Sequence, residues 1–246
     1  MTYQENYQKW LNFAELPAYL RDELVAMDEK TKEDAFYTNL EFGTAGMRGL
    51  IGAGTNRINI YVVRQATEGL AQLIDSKGEE AKKRGVAIAY DSRHFSPEFA
   101  FESAQVLAAH GIKSYVFESL RPTPELSFAV RHLHTFAGIM VTASHNPAPF
   151  NGYKVYGEDG GQMPPADADA LTDYIRAIEN PFTVQLADLE ESKANGLIEV
   201  IGENVDAEYL KEVKGVNINQ DLINEYGRDM KIVYTPLHGT GEMLAR

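Results

Sequence analysis

Apolar residues recur at helical spacing through the first forty positions. Trp10, Phe13, Leu16, Leu20 and Leu24 make a stripe broken at Pro17, which predicts a helical arm over residues 1–40 lying on a core. After a Gly-rich stretch the helical period returns with Ile60, Val63, Ala66, Leu70 and Leu73, preceded by Asn59 as N-cap. The period then changes. Val86–Tyr90 reads as a short buried strand ended by Asp91-Ser92-Arg93. Ser96-Pro97-Glu98 reads as a helix start with Ser96 as cap, and Gly111 as the stop of that helix near His110. Ser114–Phe117 is a second strand, Thr123-Pro124-Glu125 opens another helix, and Gly138–Thr142 is a third strand.

Strand, helix, strand, helix, strand implies right-handed crossovers. The fold class expected is therefore α/β, with a mixed, mainly parallel sheet covered by helices. A further helix is expected from about Leu171 to Ile178. The acidic stretch from Asp188 to Glu212 reads as a surface connection and domain boundary. Lys231–Thr235 reads as a new strand and Glu242–Arg246 as the first turn of a helix. The division expected is an arm at 1–40, a main domain at 41–205, and the truncated start of a second, similar domain at 206–246.

Composition narrows the function classes. The chain of 246 residues carries a net charge of −13 and no cysteine, which excludes disulfides, thiolate metal sites and a cysteine nucleophile. Its mean field repels phosphate, so neither nucleic acid nor an anionic membrane is expected as partner. The longest apolar run, about Phe136–Val141, is far short of a membrane span, and no signal peptide is visible. A cytoplasmic location is expected. An anionic ligand would need a local basic pocket.

Two motifs could build one. Val141-Thr142-Ala143-Ser144-His145-Asn146-Pro147 puts Ser144 at the carboxyl end of the third strand, where open α/β sheets bind ligands. Asn151-Gly152 reads as a turn that swings Lys154 back toward Ser144. A serine, an imidazole and an ammonium together suit nucleophilic chemistry or phosphate binding, and an incidental serine in a surface loop fits the spacing as well. A hydrolase is disfavoured, because Thr142 and Asn146 occupy the glycine positions of a nucleophile elbow and His145, adjacent in an extended loop, should point away. The second motif is Gly43-Thr44-Ala45-Gly46-Met47-Arg48-Gly49. Its glycines permit close backbone approach to a ligand, and Arg48 offers a planar fork for phosphate oxygens. It is neither a dinucleotide fingerprint nor a Walker loop. Arg93, at another strand end, either faces the same crevice or makes a local salt bridge.

Together, the Thr142–Pro147 motif, Asn151-Gly152-Tyr153-Lys154 and the Gly43–Gly49 motif resemble the phosphohexomutase superfamily, in its phosphoglucomutase and phosphopentomutase-like branch. The resemblance extends over almost the whole chain. It implies that Ser144 carries a phosphoryl group and that glucose 1-phosphate and glucose 6-phosphate are interconverted through glucose 1,6-bisphosphate. It also implies roles for Arg48 and Lys154 in supplying charge and moving a proton, for Thr44 in substrate binding, and for His145 in holding phosphoserine or substrate. In that family Mg²⁺ lies between the phosphoserine, here Ser144, and an Asp-Gly-Asp-x-Asp-Arg loop of the second domain. No such loop occurs in this sequence. The chain is therefore expected to be an inactive amino-terminal portion of such an enzyme, with its sugar preference and oligomeric state open. Phosphopentomutase or phosphomannomutase within the family, and a non-catalytic sugar-phosphate-binding module outside it, are the competing readings.

Overall fold

In the computed structural model, which describes residues 2–43 and 46–245, three short helices come first: α1 (Tyr3–Leu11), α2 (Ala18–Ala26) and α3 (Glu29–Phe36). The main body follows as β1 (Met47–Leu50), α4 (Ile60–Lys77), α5 (Glu79–Arg84), β2 (Val86–Tyr90), α6 (Ser96–Ala109), β3 (Ser114–Phe117), α7 (Thr123–His132), β4 (Ala137–Val141), β5 (Phe150–Tyr156) and α8 (Pro165–Ala177). Then come α9 (Leu189–Ala194), β6 (Ile198–Ile201), α10 (Glu203–Gly215), α11 (Gln220–Tyr226) and α12 (Glu242–Ala245).

The strands make one sheet in the order β1-β5-β4-β2-β3-β6. The β4, β2, β3 and β6 ladders are parallel, while β5 runs antiparallel to both β4 and β1. The sheet is thus mixed, as the α/β reading expects. The central strands β2 and β4 are buried at every position, which is why they are continuous apolar runs rather than alternating ones. One face of the sheet carries α4, α6 and α8, and the other carries α7 and α10.

Helix α4 is the spine of the first layer. Asn59 Oδ1 accepts hydrogen bonds from the amides of Tyr61 and Val62, each 3.1 Å long, so the expected cap holds. The arm packs on the start of α4 as its stripe predicts. Trp10 meets Phe36, Tyr61 and Phe182 edge to face at 5.9, 5.6 and 5.2 Å.

Four local expectations fail. Asp188–Glu212 is no surface connection: Ile198–Ile201 forms the edge strand β6, in parallel register with β3. Two of its four residues are exposed, so a short edge strand in acidic surroundings shows no apolar signal. Lys231–Thr235 is not a strand. Its Val233 is 99% exposed, and without a partner edge a β-like pattern makes no ladder. Ser96 is not the cap of α6. Phe95 holds that place with a left-handed φ of 63°, because the Ser96 hydroxyl donates instead to Asp91 Oδ1 at 2.9 Å. Asn151-Gly152 is not a turn but lies inside β5.

Helix α10 docks through a buried ion pair. Arg121, fully buried after β3, donates from Nε and Nη2 to the two carboxylate oxygens of Asp206 at 2.8 and 2.7 Å. Burial pushes the nearby Glu125 carboxyl up to about 8. Elsewhere, His110 at the end of α6 joins that helix to α4, with Nε2 2.9 Å from Glu68 and Nδ1 2.6 Å from Asp75. Those bonds outweigh desolvation and raise its pKa from 6.5 to about 9. A raised basic group stabilises fully below its unfolded value and loses that contribution as pH climbs through the folded value. The thermal midpoint should therefore fall between pH 6.5 and about 9. His110→Gln should remove that slope and cost on the order of 1 kcal/mol at pH 6, after solvent screening. A midpoint series in the two proteins checks both.

Candidate active site

The loop after β4 carries Ser144. Ser144 and His145 line a cleft of about 760 Å³ at the carboxyl ends of the parallel strands, together with Asp91, Arg93, Thr142 and His238. Ser144 has a φ of +56°, a left-handed conformation that costs a non-glycine residue on the order of 1–2 kcal/mol. That backbone turns the Ser144 and His145 side chains to one side, so Oγ lies 3.3 Å from Nδ1. The expectation that adjacent side chains point apart holds for extended backbone and fails here for this reason. No carboxylate orients the imidazole among the described residues, so this contact does not make a hydrolase triad.

A chain of hydroxyl and carboxylate contacts holds the serine. Its amide donates to Thr142 Oγ1 at 2.9 Å, and the Thr142 hydroxyl donates to Asp91 Oδ2 at 2.6 Å. Asp91 Oδ1 also accepts from the Arg93 amide at 3.0 Å. Sequence reasoning missed this relay. The available signal was Asp91 and Thr142 ending two strands, which the parallel register makes neighbours through Tyr90 and Val141.

Strand register places the two cations. In β1 and β5, Arg48 lies opposite Gly152, and in β5 and β4, Lys154 lies opposite Met140. Opposed residues share a face, and so do residues two apart. Arg48, Lys154, Met140 and Thr142 therefore stand on one face of the sheet. Arg48 Nη1 donates to Asn146 Oδ1 in the serine loop at 2.6 Å. Lys154 is only partly buried, and desolvation first, then the Arg48 charge, pulls its pKa below the usual lysine range. Neither cation lines the cleft, and no hydrogen bond joins Lys154 to Ser144. It is the strand, rather than a turn, that brings Lys154 to this side.

A Cβ at Gly46, where φ is +82°, would overlap the Tyr153 carbonyl of β5, so that glycine lets two backbones meet. A Cβ at Gly152 would come within 2.5 Å of the Thr142 carbonyl. Thr44 lies outside the described residues. His238 reaches the site through its carbonyl, which accepts from Ser92 Oγ at 2.8 Å and brings residues after 236 over the cleft.

Comparison with known proteins identifies the family. Residues 39–182 match the family model described as phosphoglucomutase/phosphomannomutase, alpha/beta/alpha domain I. The chain is 40% identical over 221 residues to a phosphoglucomutase of Staphylococcus saprophyticus, covering 90% of this chain and 39% of the relative. With a phosphoglucomutase of Staphylococcus epidermidis it shares 41% identity over 210 residues, 85% of this chain and 37% of the relative. The open form of the exocytosis-sensitive phosphoprotein pp63/parafusin, a phosphoglucomutase from Paramecium, superposes with a TM-score of 0.60 at 19% identity, over 85% of this chain and 41% of that one. The chain spans about two fifths of the length of the curated relatives it matches. No helix among the described residues is long and apolar enough to cross a membrane. The alternating strands and helices, the serine loop at their carboxyl ends and the family match converge: the chain belongs to the phosphoglucomutase/phosphomannomutase family and contains its domain I.

Proposed function

We propose that this chain is the serine-bearing part of a phosphoglucomutase that interconverts glucose 1-phosphate and glucose 6-phosphate. Ser144 carries the phosphoryl group. The phosphoserine O–P bond breaks as a new bond forms to the free hydroxyl of the sugar phosphate, giving glucose 1,6-bisphosphate. The other phosphate of that intermediate then returns to Ser144. The observation that carries this reading is the left-handed Ser144 facing the cleft, with two cations on the adjoining sheet face.

A phosphomonoester is inert in water, so its transfer needs fixed positive charge and alignment. Arg48, tied to the serine loop through Asn146, suits the charge. The proton of the accepting hydroxyl needs a neutral base, and a guanidinium is a poor one. Lys154, with its lowered pKa, suits that task, while His145 holds the serine oxygen or its phosphate.

The family's Mg²⁺ does not fit the residues present here. No group of three His, Asp or Glu side chains among the described residues could hold a metal ion. The Asp91 carboxylate beside the loop is already engaged by Thr142, Ser96 and Arg93. Mg²⁺ dehydrates reluctantly and needs fixed carboxylates, so no step is routed through it. Calorimetric titration of the chain with Mg²⁺ should give no saturation below about 1 mM.

The test joins residues 1–246 to the remaining part of the Staphylococcus saprophyticus relative. A coupled assay follows glucose 6-phosphate formation from glucose 1-phosphate, with glucose 1,6-bisphosphate and Mg²⁺ present. The joined protein should turn over and carry phosphate on Ser144, while the chain alone should be silent. A joined protein that neither turns over nor is phosphorylated would defeat the proposal. Binding of glucose 1-phosphate without transfer would favour a sugar-phosphate-binding module.

A further inference from the structure

We infer that Arg93 is a positioning residue, which sets the attack geometry of Ser144 by locking both ends of its loop, with Thr142 and Asp91 as the second half of the lock. The inference rests on Ser144 being the phosphoryl carrier. A guanidinium has five N–H donors in a rigid fork. Here the four Nη donors each have an acceptor within the chain. Nη1 donates to the carbonyls of Pro147 and Phe150 at 3.0 and 2.9 Å. Nη2 donates to the carbonyls of Ser144 and Asn146 at 2.9 and 2.6 Å. Nε lies 3.3 Å from Asp91 Oδ2. Arg93 borders the cleft, yet its four Nη donors are committed to the serine loop and its Nε faces the Asp91 carboxylate.

These contacts explain how the strain at Ser144 persists. The loop leaves β4 after Val141 and returns as β5 at Phe150, and carbonyls along it converge on one point. The guanidinium collects four of them. On the amide side, Ser144 N–H is fixed by Thr142 Oγ1, whose own proton is committed to Asp91. Asp91 is in turn held by Arg93. Ser144 is thus gripped at its carbonyl by Arg93 and at its amide by Thr142, and both grips meet at Asp91. Rotating the serine out of the left-handed region would break bonds on both sides at once. Lysine keeps the charge of Arg93 but offers three donors from one point, so it cannot span acceptors spread from Ser144 to Phe150.

Amide hydrogen exchange on the full chain tests the lock, comparing Arg93→Lys, Thr142→Val and Thr142→Ser with the parent. Exchange across residues 144–150 should rise about tenfold to a hundredfold in Arg93→Lys, and at the Ser144 amide in Thr142→Val. Thr142→Ser should restore the parent rate, because it keeps the hydroxyl. Amides of β2 and β4 should keep their protection in all three, which shows that the variants fold. Loop exchange within about twofold of the parent in both Arg93→Lys and Thr142→Val would overturn the inference. This readout involves no phosphate, so it decides the lock even if Ser144 never carries one. In the joined protein, Arg93→Lys should lower kcat about tenfold or more and leave KM within about twofold, as expected when only transition-state alignment is lost. An unchanged kcat beside faster loop exchange would reduce the contact to plain loop stability and overturn the positioning role.

Discussion

Replacing Ser144 by alanine should abolish phosphoryl transfer in the joined protein and leave no phosphate on the serine loop, while the thermal midpoint stays within a few degrees of the parent. Ser144 lines the cleft and the only side-chain partner of its hydroxyl among the described residues is His145 at 3.3 Å, so its loss removes no core packing. The amide contact to Thr142 is a main-chain contact and survives the substitution. Alanine in the left-handed region carries strain of the same order as serine does. The expected separation is therefore large: the whole of the covalent chemistry against about 1 kcal/mol of stability. Retained turnover would mean that another nucleophile carries the phosphate. Loss of folding would mean that the Ser144 side chain holds more of the loop than its one contact suggests.

Arg48→Ala and Lys154→Ala should each lower kcat by about 10²–10³, the effect of removing one charged contact made mainly in the transition state. The two should differ on conservative replacement. Arg48→Lys should recover part of the rate, since it keeps charge but loses the fork that reaches Asn146. Lys154→Arg should recover little, because a guanidinium stays protonated at any working pH. There is a coupling to look for as well. The Arg48 charge is one of the two causes of the lowered Lys154 pKa, so Arg48→Ala should move the pH profile of Lys154-dependent steps to higher pH. Steady-state rates of the four variants across pH check all three statements. Near-parent rates in both alanine variants would remove these residues from the chemistry.

What the sequence made legible, and what it hid, follows from the range of the interactions involved. Val86–Tyr90 and the Asn59-capped helix were readable because burial and capping are written in contiguous residues. The place of Ser144 at the cleft was readable because it comes three positions after a strand end. The Ser96 cap was misread because Asp91, five positions away, claims the hydroxyl that local rules assign to the helix. The strand β6 was hidden because its partner, β3, lies some eighty residues earlier and half of its short length is exposed. Lys154 was expected to reach the serine side through a turn at Asn151-Gly152, but a ladder on both sides makes that segment a strand. The donors of Arg93 could not be counted from sequence at all, since the carbonyls it binds belong to a loop more than fifty residues away.

The antiparallel placement of β5 also bears on how this site tolerates change in length. Arg48 and Lys154 share a face only because β5 keeps its present parity with both β1 and β4. A single inserted or deleted residue between Pro147 and Phe150 would shift that parity if the ladders re-formed by one step. It would carry the lysine to the opposite side of the sheet, and with it Gly152, the only kind of residue that fits beside the Thr142 carbonyl. A two-residue change would preserve the facing. The loop should therefore vary in length by even steps among active variants, and a library of insertions after Ala148 should show activity alternating with the parity of the insert.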